Sequence, residues 1–325
     1  MREPSGECFT DPCRAPGPSS TIRFGRKTSP GLEPRQPLTP GGDPWRLRRA
    51  RAIHLLPHTP HAEEILSFYV GLTEAQESLA DRVPVSDWSG LIQSREGEFP
   101  RLRVPGLPLE ELALPFRDFL STVAEFGTET IKSGAHALLS RDDDRQLEPL
   151  RAALGAWGKA EKTGEDVEDD REEQEEDFYF YARAFLEPIV TSIAQADSSQ
   201  PTDWTQNFCF VCGEPPQVAV LRDLPDAVGH RSLMCSICAT EWRFQRLTCP
   251  HCRETEADKL PVHTADSIAH VRVDACATCS RYVKTVDLRQ DGTAVPLVDE
   301  LAAVELDIWA QEQGLTKLRA NVLGL

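Results

Sequence analysis

The sequence CFVC at residues 209–212, followed by CSIC at 235–238, CPHC at 249–252 and CATC at 276–279, decides the fold of this chain. In each Cys-x-x-Cys pair the gap of two residues lets both sulfur atoms point inward from one tight turn, so a pair supplies half of a four-thiolate metal site. Four pairs therefore predict two metal ions per chain. The predicted ligands are Cys209, Cys212, Cys235, Cys238, Cys249, Cys252, Cys276 and Cys279.

The spacing of the pairs favours consecutive pairing. The first and second pairs are separated by 22 residues, the second and third by 10, and the third and fourth by 23. Two similar modules joined by a short connector would give this spacing. The alternative is an interleaved cross-brace, in which each site takes its ligands from pairs that are not consecutive. Modules of this size have little apolar core of their own, so we expect the loss of one thiolate to unfold only the module concerned.

Disulfides are the other common use of paired cysteines, and they belong to secreted proteins. We find no signal peptide, because too few apolar residues follow Arg48 and Arg49 for a twin-arginine signal. A thioredoxin-like motif occurs once, at the start of a helix, and not four times among turn residues. Metal sites are therefore preferred. Four thiolates suit Zn²⁺ and a single rubredoxin-like iron equally well, so these residues leave the metal open.

The charge of the chain is unevenly distributed. The net charge is −17, yet residues 1–60 hold 10 Lys and Arg against 5 Asp and Glu, whereas residues 161–177 hold 11 acidic and 2 basic residues. No apolar stretch approaches the roughly 20 residues that cross a bilayer, so we expect no membrane span. A thiol-rich chain outside a disulfide context is expected to be cytoplasmic.

The pattern along the chain predicts an α+β protein: an N-terminal helical bundle, two small rubredoxin-like or zinc-ribbon four-cysteine modules, and a C-terminal helix. Residues 1–60 are predicted to be a disordered, Pro-rich basic extension. Residues 61–200 are predicted to be the helical domain, with an acidic insertion near 161–177. The first metal module is predicted over 201–247, and the second, with the C-terminal helix, over 248–325.

Apolar periodicity predicts where the helices and strands lie. One helix is predicted to begin near His61, a second at Pro115, and further helices over about 145–157 and 178–193. The C-terminal helix is predicted over 297–313, with Leu297, Leu301, Val304 and Ile308 on one stripe and Gly314 just past its end. Short runs with strand character occur at 218–221, 241–244, 270–273 and 282–286.

No catalytic motif is present. The sequence lacks a phosphate-binding glycine loop, a His-Glu-x-x-His motif and a nucleophile elbow, so we do not expect an enzyme. Between Cys209 and Thr285 there are 9 Lys and Arg and 9 Asp and Glu. A nucleic-acid-binding module needs an excess of positive charge, so we expect no nucleic-acid partner.

The connector Thr240-Glu-Trp-Arg-Phe-Gln-Arg246 joins the two predicted modules. Trp and Arg are enriched in the hot spots of protein interfaces. Glu241, Trp242 and Arg243 are therefore predicted to bind a protein partner. The alternative is that Trp242 and Phe244 pack the two modules against each other.

The cysteine pairs and their flanks resemble the FdhE family of formate dehydrogenase accessory proteins. The resemblance rests on CFVCGEPP at 209–216, CSICATEWR at 235–243, CPHC at 249–252 and DACATC at 274–279. The ending, with DIWAQEQG at 307–314 and NVLGL at 321–325, is also similar to that family. The match is strong over roughly 200–325, whereas residues 60–195 match as a helical pattern only.

The resemblance implies a cytoplasmic, non-enzymatic protein that is required for the assembly of active formate dehydrogenase and binds its catalytic subunit. It also implies rubredoxin-like iron in the four-cysteine sites, with zinc possible. The alternative function is a rubredoxin-like two-iron electron-transfer protein, which the same ligands permit. Residues 1–60 and the acidic run at 161–177 have no counterpart in the resemblance.

Overall fold

In the computed structural model of this chain, helices form the N-terminal half and a sheet forms most of the C-terminal half. The structure describes residues 17–22, 44–83, 88, 90–92, 98–158, 173–196, 201, 204–225 and 227–324. The predicted α+β class is confirmed. Most of the predicted acidic insertion near 161–177 lies outside the described residues. No helix in the described part is both long and apolar enough to span a bilayer.

The helices of the N-terminal half pack around one apolar core. Phe116 and Phe185 lie at its centre, with ring centroids 5.0 Å apart, and Leu66 and Leu72 are fully buried beside them. The helices of this half are α1 (Pro44–Leu55), α2 (Glu63–Arg82), α3 (Leu109–Phe126), α4 (Glu129–Leu139), α5 (Asp143–Gln146), α6 (Glu148–Ala156) and α7 (Glu173–Ala196). Two further helices, α8 (Pro296–Ala302) and α9 (Val304–Glu312), lie in the C-terminal half. The helices predicted near His61, over 145–157 and over 178–193 correspond to α2, α6 and α7.

Strands from both predicted metal modules share one sheet. The strands are β1 (Ser20–Ile22), β2 (Pro216–Leu224), β3 (Ala227–Cys235), β4 (Glu241–Arg243), β5 (Val262–Ala265), β6 (Val271–Ala275), β7 (Arg281–Asp287) and β8 (Thr316–Lys317). Their order is β1-β5-β6-β7-β2-β3-β4, with β8 added beside β7. The parallel β2–β7 pair, which places Val218 opposite Lys284, joins the strands of 201–247 to those of 248–325.

The prediction that a helix begins at Pro115 is wrong. Helix α3 begins at Leu109, and Pro115 lies inside it. Proline has no N–H group, so the carbonyl of Glu111 loses its helical hydrogen bond. Leu112 is fully buried and extends the apolar stripe by one turn toward the N-terminus, which favours helix over this segment in spite of that loss.

The sequence predicts that residues 1–60 are a disordered extension. The described part of this segment instead contains a strand, β1, and a helix, α1. Strand β1 pairs with β5, and α1 packs against α2. Composition misled the prediction because α1 contains buried arginines whose partners are distant in sequence. Arg48 donates to Glu187 at 2.6 Å, and Nε of Arg51 donates to Asp299 at 3.0 Å. A segment that looks solvated is therefore tied to the interior by ion pairs.

The predicted C-terminal helix is two helices, α8 and α9, separated at Ala303. A buried ionic cluster stabilises this break. Nζ of Lys284 lies 2.8 Å from the Glu300 carboxylate and 2.6 Å from that of Asp307, and it also donates to the Ala303 carbonyl at 3.4 Å. Lys317 contacts the same two carboxylates at 2.5 and 3.1 Å. Two cations thus balance two carboxylates beneath the sheet.

The break also changes which side chains of α9 are buried. The predicted stripe holds for Leu297, Leu301 and Val304, which are buried, but Ile308 is 53% exposed. Ala303 has a non-helical ψ of 35°, so the periodicity counted through one unbroken helix does not continue into α9. Gly314 has a φ of 75°, as expected of a residue just past the end of a helix.

We predict that Lys284→Ala lowers the free energy of unfolding by about 3–5 kcal/mol, because two buried carboxylates would keep only one cation. The matched control is Lys132→Ala on α4, where Lys132 lies 3.5 Å from the exposed Glu129. It should cost less than about 1 kcal/mol. Urea unfolding followed by circular dichroism compares the variants, and equal losses would contradict the role given to the buried cluster.

Candidate metal centre

The first four-cysteine cluster joins the loop before β2 to the turn that follows β3. The sulfur of Cys209 lies 3.5 Å from that of Cys238, and the sulfur of Cys212 lies 3.4 Å from that of Cys235. The sulfurs of Cys212 and Cys238 are 3.5 Å apart. All four sulfur atoms lie within 4.8 Å of one another, so one ion at their centre could contact all of them.

The second cluster joins the turn after β4 to the turn between β6 and β7. Cys249 and Cys279 have sulfur atoms 3.7 Å apart, and those of Cys252 and Cys276 are 3.6 Å apart. Here too the four atoms lie within 4.8 Å of one another. The first pair thus meets the second, and the third meets the fourth. This is the consecutive arrangement favoured by the spacing, and the interleaved cross-brace is not formed.

The two clusters fit the metal ions that their chemistry implies. Four sulfur atoms at about 2.3 Å from a tetrahedral ion lie roughly 3.8 Å from one another. The observed separations of 3.4–3.7 Å are close to that value. They are far above the S–S bond length of about 2.05 Å, so none of these eight cysteines is in a disulfide. The donor set suits Zn²⁺ or a single iron ion.

Each pair is shaped by a left-handed residue directly after its second cysteine. The φ angles are 84° at Gly213, 54° at Ala239, 65° at Arg253 and 53° at Ser280. The sequence offers glycine, the residue that adopts this conformation most easily, at only one of the four positions. The turn geometry is therefore imposed by the cysteine framework at the other three. In three pairs a backbone N–H also points at a sulfur atom, as from Val211 to Cys209 at 3.4 Å.

Electrostatics favours a cation at the first cluster. Burial raises the pKa of Cys212 and of Cys235 well above the ordinary value. Burial acts in the same direction on Cys238, but hydrogen bonds from the neighbouring thiols and Thr240 hold the pKa of Cys238 well below its usual range. The four thiols thus do not all ionise by themselves. A bound cation supplies the positive charge that lets all of them be thiolates.

In the second cluster, too, the pKa of one cysteine is lowered and that of another is raised. A hydrogen bond from Cys279 lowers the pKa of Cys249 to about 5, and backbone N–H groups in the same turn act in the same direction. Burial raises the pKa of Cys276 to about 11. This cluster is also closer to solvent. Cys252 is exposed and Cys279 half-buried, whereas all four cysteines of the first cluster are buried.

The helical half packs directly on the first cluster. The indole of Trp157 donates to the carbonyl of Cys212 at 2.7 Å. From α7, Arg183 donates to the carbonyl of Ser236 at 3.3 Å, and Thr191 to that of Ile237 at 3.2 Å. Because the turns of the first cluster are bonded to α7 and to the loop after α6, we now expect that the loss of this cluster would also affect α7.

The connector residues predicted to bind a partner have three different environments. Trp242 is 4% exposed, and its indole donates to the carbonyl of Gln206 at 3.0 Å. Glu241 accepts hydrogen bonds from Arg222 and Ser232. Arg243 is exposed on β4. Trp242 is thus buried, and of the three residues Arg243 alone is exposed to solvent, so the contact of this segment with a partner stays a prediction.

A third group of potential ligands is explained without a metal. His270, Asp291 and Asp299 bring ligand atoms within 4.8 Å of one another. The guanidinium of Arg51 already lies among them, 2.6 Å from Asp291 and 2.5 Å from Asp299. His270 contacts Asp299 at 2.8 Å. We interpret this group as a buried ion-pair cluster that attaches α1 to the C-terminal half.

Comparisons with known proteins converge on one family. A family model of the FdhE central domain matches residues 208–246, and one of the FdhE C-terminal domain matches residues 247–323. A protein described as "Protein FdhE homolog" from Aquifex aeolicus is 30% identical over 269 residues, which is 82% of this chain and 90% of that protein. One from Stutzerimonas stutzeri is 29% identical over 301 residues, covering 87% of this chain and 90% of the relative.

A solved structure has the same fold. The crystal structure of the FdhE protein from Pseudomonas aeruginosa matches with a TM-score of 0.64 and 22% identity, and the match covers 86% of this chain and 94% of that one. At this level of identity the likeness concerns the architecture alone. It shows that the helical half and the sheet occur together in a second protein.

We predict that Cys209→Ser and Cys276→Ser each remove about one metal ion per chain, with different structural consequences. Cys276→Ser should leave the helices intact. Cys209→Ser should also loosen α7, because Arg183 and Thr191 bond to turns that the first cluster holds. Metal counting and far-ultraviolet circular dichroism during thermal unfolding test this. Loss of both ions in either variant, or equal effects on the helices, would contradict it.

Proposed function

The chain belongs to the FdhE family, and on that premise we propose that it is a cytoplasmic accessory protein required for the assembly of active formate dehydrogenase. In this proposal it is not an enzyme, and it binds the catalytic subunit through a C-terminal region that two metal ions stabilise. The observation that carries the proposal is the pair of intact four-cysteine clusters at residues 209–238 and 249–279, in the segments that match the FdhE central and C-terminal domains.

The geometry supports a binding role. Short strands such as β4 and β5 have little apolar surface of their own, and each begins or ends near a cysteine turn. Metal ions that hold those turns would make a rigid surface without a large core. The eight thiols face one another inside the clusters, so in this arrangement they serve as ligands and are not available as nucleophiles.

We place the contact with the catalytic subunit at the connector between the two clusters. Arg243 and Arg246 are exposed there, and Leu247 is 61% exposed. An exposed apolar side chain beside arginines has the composition of a protein interface. Trp242 and Glu241 would support this surface from beneath, since the ring is buried and the carboxylate holds Arg222 at 2.5 Å.

We propose iron as the metal in both sites, as the family resemblance implies, with all eight cysteines as ligands. When bound, a four-thiolate iron site can hold either ferric or ferrous iron, whereas zinc would be structural only. In both cases the cysteine turns position the sulfur atoms, and the buried first cluster excludes water from its ion.

A two-iron electron carrier is the second candidate function. The observation that favours it is the exposure of Cys252 and the partial exposure of Cys279, which bring one edge of the second cluster to the surface. Metal analysis and the visible spectrum of anaerobically purified protein separate the candidates. Two zinc ions per chain with no thiolate-to-iron absorption would exclude the electron carrier and leave the accessory function in place.

Complementation tests the accessory function. We expect this chain to restore formate oxidation in a host that lacks its own FdhE-family protein, and to co-purify with the catalytic subunit. Arg243→Glu should weaken co-purification by about tenfold while the protein stays folded, because it reverses the charge of an exposed contact. The matched control is Arg117→Glu, an exposed arginine on α3, which should behave like the unchanged chain.

One result would overturn the accessory function, and a second would overturn only the placement of its contact at the connector. The first is full formate oxidation by fully assembled enzyme in the host without any FdhE-family protein. The second is equal co-purification of the catalytic subunit with Arg243→Glu and with the unchanged chain. It would show that the connector is not part of the contact, and the accessory role would still be judged by complementation.

A further inference from the structure

A cavity of about 160 Å³, partly open to solvent, lies beside the second four-cysteine cluster. Strands β5, β6 and β7 form one wall, and the connector that leads into Cys249 forms another. Apolar side chains cover much of the surface, among them Leu247, Leu260, Val262 and Leu318. A mostly apolar concave surface with a few polar groups is the composition of pockets that bind small molecules.

The polar side of this cavity is unusually basic for so acidic a chain. Four arginines line it, Arg231, Arg246, Arg272 and Arg281, against a single lining carboxylate, that of Asp274. A divalent ion in four thiolates carries a formal charge of about −2 at the wall formed by the cluster. Among the lining side chains the guanidinium groups outnumber the single carboxylate, and Arg231 and Arg272 share that carboxylate. The lining is therefore rich in positive side chains, although the whole chain has a net charge of −17.

The buried arginine is fixed in place before any ligand arrives. Nη1 of Arg231 donates to the carbonyls of Gln245 and Thr248, both at 3.1 Å, and Nη2 lies 3.5 Å from Asp274. In a flat sheet β3 and β6 would lie about 14 Å apart, so this contact requires the sheet to curve around the cavity. The sheet thus brings guanidinium groups from distant strands together.

Part of the hydrogen-bonding and ion-pairing capacity of these arginines is unused in the part of the chain that the structure describes. Nε of Arg231 is buried without a hydrogen bond, and Arg246 makes no ion pair with any described residue. Burial lowers the pKa of Arg231; Asp274 opposes this, and the guanidinium groups of Arg272 and Arg246 lower it further. Positive groups that repel one another at the edge of an apolar cavity are stabilised by a bound anion.

We propose that this cavity binds a small organic anion, with its phosphate or carboxylate group against the arginines and an apolar ring along the Leu247 side. Arginine suits both anionic groups because its planar fork can donate two parallel hydrogen bonds. The proposal concerns the isolated chain and does not depend on formate dehydrogenase. It assigns the arginines to ligand binding, and not merely to neutralising the neighbouring thiolate cluster.

Anilinonaphthalene sulfonate, an aromatic anion that fluoresces when bound, is a direct probe. We expect one molecule to bind per metal-loaded chain. Arg246→Gln and Leu247→Ser should each raise its Kd by about tenfold. Both side chains are exposed at the rim, so the variants should fold normally. Arg117→Gln, which removes one exposed charge on α3, should leave the Kd unchanged.

Displacement identifies the anionic group. Adenosine monophosphate should displace the probe if the natural ligand is a phosphate, and naphthoate if it is a carboxylate, whereas uncharged adenosine should fail. The proposal is overturned if neither anion displaces the probe, or if Arg246→Gln binds it as tightly as the unchanged chain. It is also overturned if Arg246→Gln loses metal without any change in probe binding, because the arginine would then serve the cluster only.

Discussion

The first four-cysteine cluster is the constraint on which the rest of the structure depends. It holds two turns with sulfur atoms 3.4–3.5 Å apart, and those turns carry the carbonyl groups to which the helical half is bonded. The same cluster fixes the ends of β2 and β3, which form an antiparallel hairpin in the sheet. A single metal ion would thereby connect the helices to the strands, and the folding energy that metal binding supplies would extend beyond the cysteine turns.

The two clusters have different surroundings and are suited to different tasks. The first is buried beneath α7 and is suited to holding the architecture together. The second lies near solvent, beside the arginine-lined cavity and the exposed connector that contains Arg243 and Leu247. Binding events are therefore expected around the second cluster, on a surface whose rigidity depends on the first. This division agrees with the accessory function proposed above.

The cysteine clusters could be predicted from sequence because each Cys-x-x-Cys pair is a local turn and the spacing between the pairs favours consecutive pairing. The packing of α1 could not, since the partners of Arg48 and Arg51 lie at Glu187 and Asp299. The break at Ala303 was missed for a similar reason: it is stabilised by Lys284, which comes from another element. Contacts between distant elements also explain why the helical half, expected to be independent of the first metal module, is bonded to its turns.

The most direct test is hydrogen exchange measured along the whole chain before and after the metal is removed by a chelator. If the first cluster connects the two halves, the amides of its cysteine turns and those of α7 around Arg183 and Thr191 should lose protection together. Loss of protection confined to the cysteine turns, with α7 unchanged, would contradict the account.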